Sequence, residues 1–203
     1  MAASGVNYIV YDDDPALGKE APGIDTVEFV NGEPRPLLSD DKHTLLVFWA
    51  KWDKANFHAY EKFADVAAKH ADALNVICVS TDPEKSYAEG MLTKEKYAEP
   101  GQHLKKMNVA WDANKTVASA YKEVMEELVI NLPHAFLINK SGIVVWHEIF
   151  RANNADCKLM AQIDRLVAGE EMELSNGPTP VIEDDSDSDS DGGAEVDDDF
   201  ELF

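Results

Sequence analysis

The chain has 203 residues, enough for one domain of ordinary size with appended segments. It carries 39 acidic and 18 basic residues, a formal net charge of −21, which disfavours nucleic acid and anionic membranes as direct partners. No apolar run is long enough to cross a bilayer, and the N-terminus MAASGVNYIVYDDD lacks the pattern of a signal peptide. We therefore expect a cytoplasmic protein.

The first third of the chain contains signals for a hairpin, a buried strand and a helix. TVEFV, then Asn-Gly, then EPRPLL (residues 26–38) predicts a β-hairpin whose prolines confine its second arm to a sheet edge. The apolar run HTLLVFWA, residues 43–50, is typical of a strand buried on both faces. From Asp53, apolar residues recur at helical spacing, which predicts a helix to about His70.

Strands and helices then alternate to the end of the domain, so the predicted fold class is α/β with a mixed sheet. A strand at 75–80 is followed by a helix that Asp82-Pro83 opens and caps and that Glu99-Pro100-Gly101 breaks. A short strand at 108–112 and a helix from about 114 come next. A strand pair around Lys140-Ser141-Gly142 precedes the last helix, which runs from about Ala155 to Ala168 and stops at Gly169.

The C-terminal segment holds much of the negative charge. Eleven acidic residues and no basic ones lie from Glu183 to the end of the chain, which predicts a disordered tail over residues 173–203. Its simplest role is solubility, although the terminal Phe-Glu-Leu-Phe adds an apolar end that solubility does not require. We accordingly predict an N-terminal extension with the hairpin (1–40), a main domain (41–172) and the tail.

Three serines in the tail alternate with aspartates. Ser186, Ser188 and Ser190 are therefore candidate sites for an acid-directed kinase. Phosphate groups there would deepen the negative charge and favour docking onto a basic partner.

Two stretches carry a resemblance to a known family. FWAKW (48–52) stands between a buried strand and a helix, and LPHAFLINKSGIVVW (132–146) is a later strand pair led by a proline. Together with the segment LGKEAPGIDTVEFVNGEPRPLL, this order resembles the thioredoxin superfamily, in particular its thioredoxin-like, peroxiredoxin-related branch, over about residues 17–168. The resemblance implies a three-layer thioredoxin-like fold.

The family's redox chemistry requires a C-x-x-C motif directly after the second tryptophan of FWAKW. At these positions the sequence has Asp53, Lys54, Ala55 and Asn56. A carboxylate cannot exchange disulfides, so the resemblance implies a domain without the dithiol centre. Asp53 is also a good N-cap residue, and we favour a helix cap over an acid–base or partner-binding role.

The resemblance also implies a cis-proline at Pro133, opposite the helix start, in a groove where the family binds extended peptides. Leu132 and His134 would border that groove, and Trp52 would remain partly exposed as a partner contact. A purely structural role for Pro133 is the alternative, and His134 is interpreted as a packing residue because the motif supplies no nucleophile for it to activate.

The remaining reactive side chains show little pattern. Cys78 lies in a predicted buried strand, Cys157 has no resolving neighbour, and the P-x-x-x-T-x-x-C pattern of peroxiredoxins does not occur. The histidines lack zinc-ligand spacing, so we expect no metal and no cofactor.

These observations favour a redox-inactive adaptor that binds protein partners in a larger assembly. By analogy with other members that lack the cysteines, tubulin or another cytoskeletal protein is a candidate partner, which predicts association with microtubules or cilia. The alternatives are a thiol oxidoreductase that uses Cys78 or Cys157, a hydrolase that uses Asp53 with His134, and a chaperone-like module that grips peptides beside Pro133.

Overall fold

A computed structural model describes residues 14–39, 41–54, 57–152 and 157–172 of the chain. The predicted tail with Ser186, Ser188 and Ser190 lies outside the described residues, as does Asn56. Strands and α-helices follow one another in the order β1 Glu28–Asn31, β2 His43–Trp49, α1 His58–Lys69, β3 Leu74–Ser80, α2 Lys85–Thr93, α3 Ala98–Leu104, β4 Asn108–Trp111, α4 Thr116–Met125, β5 His134–Ile138, β6 Val144–Ile149 and α5 Leu159–Ala168.

The strands form one mixed sheet in the order β1-β4-β3-β2-β5-β6, which confirms the predicted α/β class. β2, β3 and β4 are parallel, while β1, β5 and β6 run antiparallel to their neighbours. Every residue of β2 and β3 is buried, as their continuous apolar runs predicted, because the sheet is covered on both faces. One face packs against residues of α1, α2, α3 and α5, and the other against α4 and the N-terminal segment.

The predicted N-terminal hairpin is wrong in its second arm. β1 pairs with β4, with Glu28 opposite Trp111, and residues 33–38 form no strand. The chain does turn at Gly32, whose φ is +77° and whose Cα lies so close to Asn108 that a Cβ would meet its Oδ1. Two prolines in the following segment lack the N–H groups that a paired strand needs, whereas β4 offers an open edge.

Two helices begin later than predicted, and the cap predicted at Asp82 is wrong. α1 begins at His58 with Phe57 at its N-cap position, not at Asp53. α2 begins at Lys85, and Asp82 is buried before it. The Asp82 carboxylate accepts hydrogen bonds from the Lys51 N–H and the Ser80 hydroxyl, both at 2.9 Å, and so joins the ends of β2 and β3.

Pro100 and Gly101 do not break a helix but lie inside α3. Pro100 is its third residue, where a backbone N–H would have no partner within the helix, so proline costs little. Gly101 packs against α2, where a Cβ would lie 2.3 Å from the Met91 carbonyl oxygen. The close approach of two helices, rather than a chain break, therefore explains this glycine.

The last helix ends as predicted and begins on a side chain from the sheet. Gly169 occupies the C-cap position with φ of 72°. At the other end, the Glu148 carboxylate of β6 accepts from the N–H of Leu159 at 2.6 Å and of Lys158 at 3.3 Å. Helix α5 is thus capped by a residue distant from it along the chain.

Candidate functional site

The sheet topology brings the two resemblance segments to one edge. β2 and β3 are parallel and end at Trp49 and Ser80, while antiparallel β5 begins at His134 on the same edge. The N–H of Thr81 donates to the Trp49 carbonyl oxygen at 2.9 Å and ties these strand ends together. The segment after β2 therefore lies beside the segment that precedes β5.

A cavity of about 210 Å³ lies at this edge, and we call it the Trp52 groove. Trp52 is 67% exposed, Leu128 90% and Val129 59%, which are high values for large apolar side chains. The groove is lined by Trp52, Thr81, Lys115, Ala118, Ser119, Lys122, Leu128, Val129, Ile130 and Leu132.

The residues at the motif positions lie beside Trp52. Lys54 is exposed and Asp53 is half-buried, with the Asp53 N–H donating to the Ala50 carbonyl oxygen at 3.1 Å. Burial raises the pKa of Tyr60 well above its ordinary value, and the nearby acidic groups of Cys78, Asp53 and Asp82 add to this effect. The Tyr60 side chain near Asp53 is therefore a neutral phenol.

The Leu132–Pro133 peptide bond is cis, as the resemblance implied. Leu132 lines the Trp52 groove with Trp52 itself, so these two predicted residues do come together. The Pro133 carbonyl oxygen accepts from the Phe150 N–H at 2.8 Å, which fixes the start of β5 against the chain after β6.

His134 points into a different cavity, so it does not border the Trp52 groove. We call this second cavity, of about 360 Å³, the histidine pocket. His134 Nε2 lies 3.1 Å from His147 Nδ1, and His147 Nε2 lies 3.2 Å from both carboxylate oxygens of Asp14. The pocket is lined by Asp14, Pro15, Met125, Glu127, Val129, Asn131, His134, His147, Glu148 and Ile149.

The electrostatics of the histidine pocket favour a neutral His134. Burial, helped by the neighbouring His147, lowers the pKa of His134 to about 3. Its ring also stacks on Phe136, with centroids 4.7 Å apart. This agrees with the interpretation of His134 as a packing residue.

Sequence reasoning missed His147, the hydrogen-bond partner of His134, and Asp14, the partner of His147. His147 could have been found from the hairpin, because residues 134 and 147 share one face of the β5–β6 pair once its register is known. Asp14 carried no signal, since it is 133 residues from His147 along the chain.

Neither cysteine has the environment of a reactive thiolate. Cys78 is fully buried in β3, and this burial raises its pKa to about 12. Cys157 is half-buried, and burial together with its hydrogen bond to Glu148 (Sγ–Oε1 2.8 Å) raises its pKa to about 11. Both side chains are therefore protonated thiols near neutral pH.

Two further properties concern only the described part of the chain. Within residues 14–39, 41–54, 57–152 and 157–172, no group of three or more His, Cys, Asp or Glu residues could hold a metal ion. None of the helices there is both long and apolar enough to cross a membrane.

Solved structures with the same fold include several from bacterial proteins. A crystal structure assigned as the thiol:disulfide interchange protein DsbE of Chlorobium tepidum is 24% identical, with a TM-score of 0.56 over 74% of this chain and 96% of that one. The thioredoxin domain of a thiol-disulfide oxidoreductase from Bacteroides vulgatus is 19% identical, with a TM-score of 0.51 over 67% and 90%. At this identity the likeness establishes the thioredoxin-like fold alone.

A third similar structure, of a hypothetical protein from Sinorhizobium meliloti 1021, is 21% identical with a TM-score of 0.56 over 78% of this chain and 87% of that one. No curated protein matches the sequence. The AhpC/TSA family model matches residues 26–147, which covers β1 to most of β6. The chain therefore belongs to the AhpC/TSA family of the thioredoxin superfamily.

Proposed function

We propose that this protein is a redox-inactive thioredoxin-like module that binds a protein partner through the Trp52 groove. One observation carries the proposal. At the family's C-x-x-C positions the chain has Asp53-Lys54-Ala55-Asn56, yet the adjoining Trp52 remains 67% exposed beside the cis-proline segment. The dithiol is absent while the surface around its position is retained.

The chemistry of the remaining groups supports redox inactivity. Disulfide exchange needs a thiolate as the attacking group, and the carboxylate of Asp53 cannot form a mixed disulfide. Cys78 is inaccessible, and the raised pKa of Cys157 keeps it protonated. A thiol oxidoreductase that uses one of these cysteines is the alternative, in line with the oxidoreductases among the similar structures.

The exposed side chains of the groove support partner binding. Tryptophan is enriched among the residues that contribute most to protein interfaces, because its large flat ring buries much area at low entropic cost. Leu128 and Val129 extend the apolar surface beside Trp52, and Leu132 forms part of its wall. A chaperone-like role in the same groove differs only in accepting many peptides rather than one partner.

An insulin reduction assay with a dithiol tests the redox part of the proposal. We expect no turnover above the dithiol background from the native chain. The Asp53→Cys/Asn56→Cys variant restores C-x-x-C at the family positions and should show turnover, with Asp53→Ser/Asn56→Ser as the matched control. Turnover by the native chain that disappears in Cys157→Ser would instead establish the alternative.

Quantitative affinity purification tests the binding part. Proteins retained by the native chain should be lost with Trp52→Ala but kept with Leu38→Ala, which removes an exposed apolar side chain at the opposite edge of the sheet. Equal loss with both variants would exclude the groove as the binding surface. Co-sedimentation with microtubules, compared between the same variants, tests the proposed cytoskeletal partner, and absence from the pellet would remove tubulin.

A further inference from the structure

We propose that the Trp52 groove takes an acidic segment with aromatic side chains, and that the chain's own C-terminus, residues 197–203, docks there in cis. This inference rests on the proposed function, because it gives the chemistry of the ligand for the same groove. It also gives the tail a role as a competitor of the partner.

The charge of the groove differs from that of the rest of the molecule. Residues 1–182 carry 28 acidic and 18 basic residues, so their surface is mainly negative. Among the described residues that line the groove, Lys115 and Lys122 are charged and both are basic. Lys54 is exposed next to Trp52, and the Lys122 ammonium reaches the Leu128 carbonyl oxygen at 3.5 Å. Two lysines thus form a basic rim beside the exposed apolar side chains of the groove.

The C-terminal sequence has the complementary pattern. Asp197, Asp198 and Asp199 are followed at once by Phe200, Glu201, Leu202 and Phe203. The aspartates match the lysines, while the two phenylalanines match the indole of Trp52 and the side chains of Leu128 and Val129. The groove combines basic with apolar side chains, and the segment combines acidic with aromatic ones.

The tail is long enough to reach this groove. The described chain ends at Met172, so 31 residues, 173–203, follow it. Fully extended, they span roughly 100 Å, whereas a domain of about 150 residues has a radius of gyration of only about 15 Å. A tethered segment also has an effective concentration on the order of millimolar, which favours docking in cis over a free peptide of equal affinity.

The indole N–H signals of the full-length chain, labelled with ¹⁵N-tryptophan, provide the test. The four tryptophans give four signals, and Trp52→Phe assigns one of them to Trp52. In Phe200→Ser/Phe203→Ser, the Trp52 signal should move, while those of Trp49, Trp111 and Trp146 stay in place and show that the fold is intact. Dilution should leave the native spectrum unchanged, because the contact is intramolecular.

The lysine rim is tested in the same spectra. In a Lys115→Gln/Lys122→Gln background, the tail substitution should move the Trp52 signal less than in the native chain. The matched Lys105→Gln/Lys106→Gln background changes exposed lysines at the far edge of the sheet. There the tail substitution should move the Trp52 signal as far as it does in the native chain. Equal movement in both backgrounds would overturn the electrostatic part of the inference.

An unmoved Trp52 signal in Phe200→Ser/Phe203→Ser would overturn docking, and movement that depends on protein concentration would overturn docking in cis. Neither result would touch the proposed function, whose binding part fails if capture of partners is insensitive to Trp52→Ala or is lost equally with Leu38→Ala. If the inference holds, Phe200→Ser/Phe203→Ser should capture more of the partner than the native chain.

Discussion

The Trp52 groove and the histidine pocket adjoin each other, since Val129 lines both, but their polar groups are arranged in opposite ways. In the histidine pocket, the buried His134 and Asp14 are each hydrogen-bonded to His147, which is partly buried. In the groove, apolar side chains are exposed and lysines stand at the rim.

Because of this difference, substitutions in the two regions should affect different properties of the protein. A buried polar chain stabilises the fold only while each member keeps its partner, so changes there should act on unfolding. Exposed apolar side chains contribute little to folding, because they stay in water in the folded state. Changes in the groove should therefore act on binding while stability remains constant.

The largest expected effect is the response of stability to acid. The folded chain holds the pKa of His134 at about 3 and that of His43 at about 4, both chiefly through burial, against an ordinary value of 6.5. Well above pH 6.5 both histidines are neutral whether the chain is folded or not. Below pH 6.5 the unfolded chain binds protons that the folded chain does not, so the free energy of unfolding decreases as the pH is lowered.

Each such histidine contributes up to about 1.4 kcal/mol per pH unit between its folded and unfolded pKa values. Urea unfolding between pH 7 and pH 4.5 should therefore give a shallower pH dependence for His134→Gln than for the native chain. Carboxylates elsewhere, such as Asp164 with its pKa lowered by Lys69, affect both chains alike. Identical slopes would show that His134 is not held neutral by the pocket.

His147→Phe should produce the next largest effect, at neutral pH. The Asp14 side chain is only 4% exposed and would lose its imidazole partner, keeping the N–H groups of Ala16 and Leu17. Leaving such a buried group under-satisfied costs about 1–3 kcal/mol, which urea unfolding would measure. Asp164→Asn removes an exposed ion pair with Lys69 and is the control, for which we expect about 0–1 kcal/mol.

The sequence predicted the strands of the sheet better than the starts of its helices. β2 and β3 were evident from their apolar runs, because burial on both faces favours apolar side chains at successive positions. Asp53 and Asp82 satisfied the sequence rule for a cap, yet Asp82 bonds across the sheet edge to Lys51 and Ser80. A capping residue is defined by its local sequence, whereas a tertiary hydrogen bond depends on chain segments that local sequence does not identify.

The residues of the candidate site were likewise predicted only in part. Trp52, Leu132 and the cis bond at Pro133 were expected because two short segments resemble the thioredoxin superfamily. Leu128 and Val129, which follow α4, could not be recognised as groove residues from the sequence. An apolar residue is expected to be buried, whereas these two are exposed. Asp14 depended on a contact with a residue 133 positions away along the chain.

The smallest expected change in stability belongs to the residue with the largest expected role in binding. Because Trp52 is 67% exposed, Trp52→Ala should alter the free energy of unfolding by less than about 0.5 kcal/mol. Trp49, three residues earlier and 1% exposed, is the matched control, and Trp49→Ala should cost about 3–5 kcal/mol. Urea unfolding of both variants checks this contrast. A large loss on Trp52→Ala would mean that the indole supports the fold, and its exposure would then no longer argue for a binding surface.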